Sequence, residues 1–169
     1  NPANGAAHYY LGRYHLIRGD LAGMDSAWTK AEALLPDCEP DMTSYRQNAW
    51  GVLTNAGIEK QNAEDLDSAK VLYRRANHAF RGLPHAFMNL GVIYANESAN
   101  DSAAVYFRLA VDATVDDSTM VEERKALLLN LGAIQQRRGN FREAVNAFGI
   151  YAKENPDDSE VLRHLAGSY

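Results

Sequence analysis

Four glycines constrain this chain more than any other feature. Gly12, Gly57, Gly91 and Gly132 each follow Leu or Ala. Twelve residues after each comes Met24, Ala69, Ala103 or Ala144, and four residues later Trp28, Tyr73, Phe107 or Phe148. The surrounding apolar residues recur at helical rather than alternating spacing, so no strand is expected. A glycine inside a helix costs about 1 kcal/mol against alanine. Its return at equivalent places calls for a compensation, and close approach of two helix backbones supplies one, each glycine facing the small residue of its own unit. A pattern repeated at this period describes an array of helical hairpins.

The clearest unit is LLLNLGAIQQRRGNFREAVNAFGIYAKENP, Leu127 to Pro156, with its hinge at Gly139-Asn140. Taken in order, repeat 1 spans 5–38, repeat 2 spans 50–83, repeat 3 spans 84–117 and repeat 4 spans 125–158. The final stretch, 159–169, reads as the first helix of a further repeat. In repeat 1 a helix through Leu16 stops at Gly19, a natural left-handed terminator, and Asp20 is placed to cap the next helix. The glycine anchors are 45, 34 and 41 residues apart, then 34 to Ala166. The excess of 11 and 7 residues is close to three and two whole helical turns, which preserves the buried face. The segments 39–49 and 118–124 are therefore expected to lengthen first helices at their N-termini, starting near Asp41 and Thr119, in place of a disordered linker. Thr119 to Glu122 reads as a capping box, and Met42, Tyr45, Ala49, Leu53 and Ala56 form one apolar seam. The two extensions would make a ledge bearing Met42, Tyr45 and Met120.

The pattern resembles the tetratricopeptide repeat, a 34-residue helix-turn-helix with Leu-Gly, Tyr, Ala, Phe or Tyr, Ala and Pro at fixed places. The resemblance runs through essentially the entire chain. It departs at Met24, where a small residue is usual and Gly23 offers relief, and at Tyr151, where Ala is usual. Repeats two and three also lack the closing Pro. The resemblance implies an all-α fold, an α-α superhelix (right-handed solenoid) of antiparallel helix hairpins. It also implies a concave groove, lined by first helices, that holds a peptide or protein segment. Mapped here, the groove residues are Tyr9, Arg13, Thr54, Asn55, Ile58, Met88, Asn89, Val92, Leu129, Asn130 and Gln136, with Leu16, Ala133, Arg137 and Arg163 on the same face. Family members that clamp a C-terminal carboxylate need a Lys and Asn set that this chain meets only at Asn55. Tyr9, Arg13, His85 and Asn89 stand at the other places, so a chaperone-type clamp is not expected. Asn55, Asn89 and Asn130 share one repeat position and suit a largely uncharged, partly apolar ligand.

Other function classes find little support. Formal charge is −5, and the 17 basic residues are scattered, without the basic stripe of a nucleic-acid footprint. The lone Cys38 rules out an internal disulfide or a thiolate metal cage. The five histidines form no i, i+3 or i+4 ligand pair, so no metal or other cofactor is expected. No apolar run reaches the ~18 residues of a membrane span. There is no nucleophile elbow and no phosphate-cradling glycine loop, so no enzyme is expected. The chain starts at Asn1 without a leader, which suggests a piece excised from a longer array. The alternatives to a binding scaffold are a structural spacer or self-assembly segment, with Leu162, Leu165 and Tyr169 making an end-mediated contact, and a regulatory region fused to an enzyme.

Overall fold

The computed structural model describes residues 4–115 and 117–156. The proposed trailing helix 159–169, with Arg163, Leu162, Leu165 and Tyr169, lies outside the described residues. Among the described residues every regular element is helical. The chain divides into two compact units at Arg81 and Gly82. The first holds α1 (Gly5–Ile17), α2 (Leu21–Leu34), a short 3-10 turn (Pro36–Cys38), α3 (Glu39–Asn62) and α4 (Leu66–Ala79). The second holds α5 (His85–Asn96), α6 (Asn100–Asp112), α7 (Val121–Arg137) and α8 (Phe141–Glu154). Consecutive helices pair as antiparallel hairpins, α1 with α2, α3 with α4, α5 with α6 and α7 with α8.

All four hairpins turn by the same device. The residue seven places after each anchor glycine has a left-handed backbone: Gly19 at φ 71°, Glu64 at 60°, Ser98 at 61° and Gly139 at 75°. The next amide reaches back to close the helix, as in Asp20 N–H to the His15 carbonyl and Asn140 N–H to the Gln135 carbonyl, both 2.9 Å. This is the Schellman closure, which satisfies carbonyls the helix end would leave unpaired. Asp20 and Asp65 then cap the next helix, accepting from the N–H groups of Gly23 and Ser68.

The anchor glycines make room for rings. A methyl group on Gly57 would come within 2.6 Å of the Tyr73 ring, and one on Gly91 within 2.9 Å of the Phe107 ring. Gly12 and Gly132 face Trp28 and Phe148 in the same way. The expected glycine-to-small-residue contact is thus replaced by a glycine-to-aromatic one. Met24, Ala69, Ala103 and Ala144 are fully buried beside it. Gly23 relieves something other than Met24, because its open side is filled by the Asp20 carboxylate and the His15 ring.

The long helix α3 carries two registers. Its first half meets α1 thirty-two residues on, with the Tyr9 hydroxyl donating to Asp41 and the Arg13 guanidinium 4.8 Å over the Tyr45 ring. Met42 is fully buried in the cluster built on Trp28, Met24 and Leu21. It therefore belongs to the core and not to an exposed ledge. Arg46 lies 34 residues after Gly12, where an uninterrupted repeat would have its glycine. Its guanidinium sits 5.1 Å over the Trp28 ring and pairs with Asp25 and Glu32. The glycine arrives eleven residues later, where Gly57 faces Tyr73 in α4.

The other insertion is handled differently. The helix α7 begins at Val121 with Met120 as its cap residue and no side-chain cap bond. The expected capping box from Thr119 does not form. Instead the Thr119 amide and hydroxyl both donate to Asp117, at 2.9 and 2.6 Å. Farther along, Arg124 in the first turn of α7 holds Glu154 at 3.1 Å and donates to the Val111 carbonyl and the Thr114 hydroxyl.

Candidate functional site

The residues expected on the first-helix faces fall into three environments. In the first unit, Tyr9 and Arg13 are occupied by α3. The hydrogen bond to Asp41, helped by desolvation, pushes the Tyr9 phenol up to about 12. Arg13 is sandwiched between the Tyr9 and Tyr45 rings, 5.9 and 4.8 Å from their centroids. Thr54 is buried at 4% exposure and presents no open surface. Asn55 and Ile58 are exposed.

In the second unit, Met88, Val92 and Leu129 are partly buried against the core, and Asn89 and Gln136 are half-buried. One cleft of about 200 Å³ gathers Val92, Asn130, Ala133 and Arg137 with Ala95, Asn96, Ile134 and Phe107. Of the predicted set it holds Val92 and Asn130, joined by Ala133 and Arg137 from the same face. Met88, Asn89, Leu129 and Gln136 do not line it. Ala95 and Asn96 were missed, although they sit three and four residues after Val92 and so share its helical face.

The cleft combines an apolar floor, an amide that can donate and accept, and a cationic rim. The perturbed carboxylates lie elsewhere, and each has a structural cause. Asp20 is held below the usual range by the Gly23 amide, Asp65 by Ser68 and Lys60, and Asp117 by Thr119. Among the described residues no group of three His, Cys, Asp or Glu side chains could hold a metal ion, and no helix is long and apolar enough to cross a membrane.

Helical hairpins of one repeated design, packed through glycine-aromatic contacts, define a helical-repeat protein. Residues 129–169 match the sequence model of the tetratricopeptide repeat family. Solved structures share the fold. The N-terminal domain of stress-induced protein-1 from C. elegans superposes at TM-score 0.65 and 16% identity, covering 73% of this chain and 96% of that one. Pseudomonas aeruginosa pilF gives 0.56 at 18% identity, covering 97% and 67%. The MamA protein gives 0.58 at 14% identity, covering 98% and 80%. At these identities the likeness concerns the fold alone. No curated protein matches the sequence. Residues 129–169 thus carry the sequence pattern of the tetratricopeptide repeat, and the chain has a fold shared with these solved structures. Repeats of this family are in general protein-interaction scaffolds.

Proposed function

We propose that the chain is an interaction scaffold and that the α5–α7 face of its second unit holds an extended, largely uncharged and partly apolar peptide. The observation that carries this reading is the cleft where Asn130 stands beside Val92 and Ala133, with Arg137 at the rim. An amide over an apolar floor can pair with a peptide backbone in either sense while the floor takes its side chains. Exposed Asn55 and Ile58 offer the same chemistry on the first unit. The test is the triple change Asn55→Ala, Asn89→Ala and Asn130→Ala, assayed against partners captured by the unmodified protein. Loss of binding with helicity retained supports the reading, and unchanged binding by a folded triple variant ends it.

A second reading, self-association, is favoured by α1. Leu11 and Tyr14 are 44% and 55% exposed, whereas their repeat equivalents Leu90 and Ile93 in α5, and Leu131 and Ile134 in α7, are buried. Light scattering over a concentration series, repeated with Tyr14→Glu, checks it. A mass that stays monomeric throughout removes this reading.

A further inference from the structure

The cleft lined by α5 and α7 has two unlike ends. Asn130, Ala133, Ile134 and Arg137 follow one another along α7 at helical spacing and so share a face. Asn130 and Arg137 are seven residues apart, about 10 Å of helix axis at 1.5 Å per residue. Val92, Ala95 and Asn96 line the cleft from α5. Asn96 and Arg137 each stand five places after an anchor glycine, and each is the last residue of its helix. The cleft therefore runs from the Asn130 amide, over an apolar stretch that includes the Phe107 ring, to Arg137 and a second amide.

The polar groups at both ends are open. The side chains of Asn96, Asn130 and Arg137 make no hydrogen bond, ion pair or ring contact among the described residues. No acid lines the cleft. The acids closest in sequence to Asn96 are already engaged, Asp101 by Arg138 at 2.7 Å and Glu97 in an interaction of its own. The guanidinium of Arg137 thus presents a fork of donors without an acceptor, the geometry that takes a carboxylate through two parallel hydrogen bonds. The C-terminal ends of α5 and α7 carry partial negative charge, so the arginine decides whether an anion is attracted there or repelled.

We propose that the Arg137 end of this cleft is a subsite for one acidic side chain, so that the peptide held here carries an apolar residue with an acid two positions along. In an extended segment alternate side chains point to the same face, roughly 7 Å apart, which fits within the span from Asn130 to Arg137. The apolar side chain rests on Val92 and Ala133 while Asn130 pairs with its backbone. The carboxylate meets Arg137, and the Asn96 amide donates to it from α5. The occupant is an internal segment, because a chain end would lay its peptide groups on the apolar stretch. The inference rests on the α5–α7 reading and adds to it a charge and a spacing.

The probe is a rhodamine-capped peptide, Gly-Leu-Ser-Glu-Ala-amide, titrated by anisotropy. One control has Glu changed to Gln, another has Ser and Glu exchanged so that the acid points to the opposite face, and a third is the Gln peptide with a free C-terminal carboxylate. Saturable binding of the Glu peptide is expected, about tenfold tighter than each control and weakened by salt. Arg137→Gln should bring the Glu peptide down to the level of the Gln peptide, with helicity unchanged because Arg137 is exposed and unpaired. Arg137→Lys should keep part of the preference. Arg142→Gln, an exposed charge on α8 outside the cleft, should change nothing. The proposal is overturned by absent saturation at millimolar protein, by equal affinity of the Glu and Gln peptides, or by an equal loss in Arg142→Gln. It is also overturned if the free-carboxylate peptide binds best, since the occupant would then be a chain end, or if Arg137→Gln abolishes a concentration-dependent dimer, since it would then be a second copy. Glu and Gln peptides that bind equally well end this inference and leave the α5–α7 reading standing. That reading fails instead on the Asn55, Asn89 and Asn130 triple variant.

Discussion

At the scale of single residues, the glycines separate into groups with opposite expected responses. Gly91 has the Phe107 ring where a side chain would go. Gly91→Leu should therefore destabilise by about 1–3 kcal/mol through overpacking, measured by urea unfolding. Gly51 and Gly149 lie inside helices with nothing within 4 Å of an added methyl. Gly51→Ala and Gly149→Ala should stabilise by about 1 kcal/mol, the ordinary helix-propensity gain. The turns give the converse case. Glu64 and Ser98 adopt the left-handed backbone that Gly19 and Gly139 adopt without penalty, and a side chain there costs roughly 1–2 kcal/mol. Glu64→Gly should recover part of that cost and raise the midpoint of thermal unfolding; an unchanged or lower midpoint would mean that the Glu64 side chain contributes a compensating contact. The anchor glycines were legible in sequence because four of them recur at fixed offsets. Their partner was misread, because spacing along two helices does not say whether the small residue or the ring one turn later reaches across. The left-handed role of Glu64 and Ser98 was hidden by identity, since neither residue advertises a positive φ.

Among the elements, α3 is the one whose behaviour the sequence only half disclosed. An excess of eleven residues promised continued helix, and Glu39–Asn62 is helical throughout. What periodicity could not settle is which half pairs with which neighbour, because whole-turn shifts leave every face unchanged. The side chains decide it. Tyr9 with Asp41, Arg13 with Tyr45 and Trp28 with Arg46 bind the first half to the first hairpin, while Gly57 with Tyr73 binds the second half to α4. The seven-residue excess was less legible. Its signal, Thr119 followed by Glu122, belonged to a turn closed by Asp117. The candidate site suffered in proportion. Tyr9 and Arg13 were placed by ordinary repeat position, and the shifted register turned them inward against α3. If 39–49 is rigid helix bearing this packing, Gln47→Pro should cost about 3 kcal/mol or more, although Gln47 itself is exposed. Urea unfolding checks this, and a near-neutral Gln47→Pro would mean the segment behaves as a linker. Tyr9 gives an optical readout of the same contact. Its phenol should ionise near 12 in the intact protein and at lower pH in Asp41→Asn, followed by ultraviolet difference absorbance.

Over the whole molecule, the recurring caps give a shared response to acid. Asp20, Asp65 and Asp117 each hold backbone amides at the start of a helix or in the turn before one, and all three carboxyls are held below the usual carboxylate value. A group with a depressed folded-state pKa adds stability above its unfolded value, about 3.9 for aspartate. That contribution is lost as pH falls through the lower folded value. Stability should therefore be flat with respect to these groups from neutral pH down to about 5 and fall below about 4. Asp20 and Asp65 lie in the first compact unit and Asp117 in the second, so each unit should show this acid response. Tyr9 contributes with the opposite sense, because its folded value is raised. Its share is complete below about 10 and is lost as pH rises through about 12. The measurement is urea unfolding from pH 2.5 to 7, repeated with Asp20→Asn and Asp65→Asn combined. Asparagine also caps helices, so the double variant should fold at neutral pH with a shallower acid decline than the unmodified protein. An equally steep decline in the double variant would remove the caps from that role.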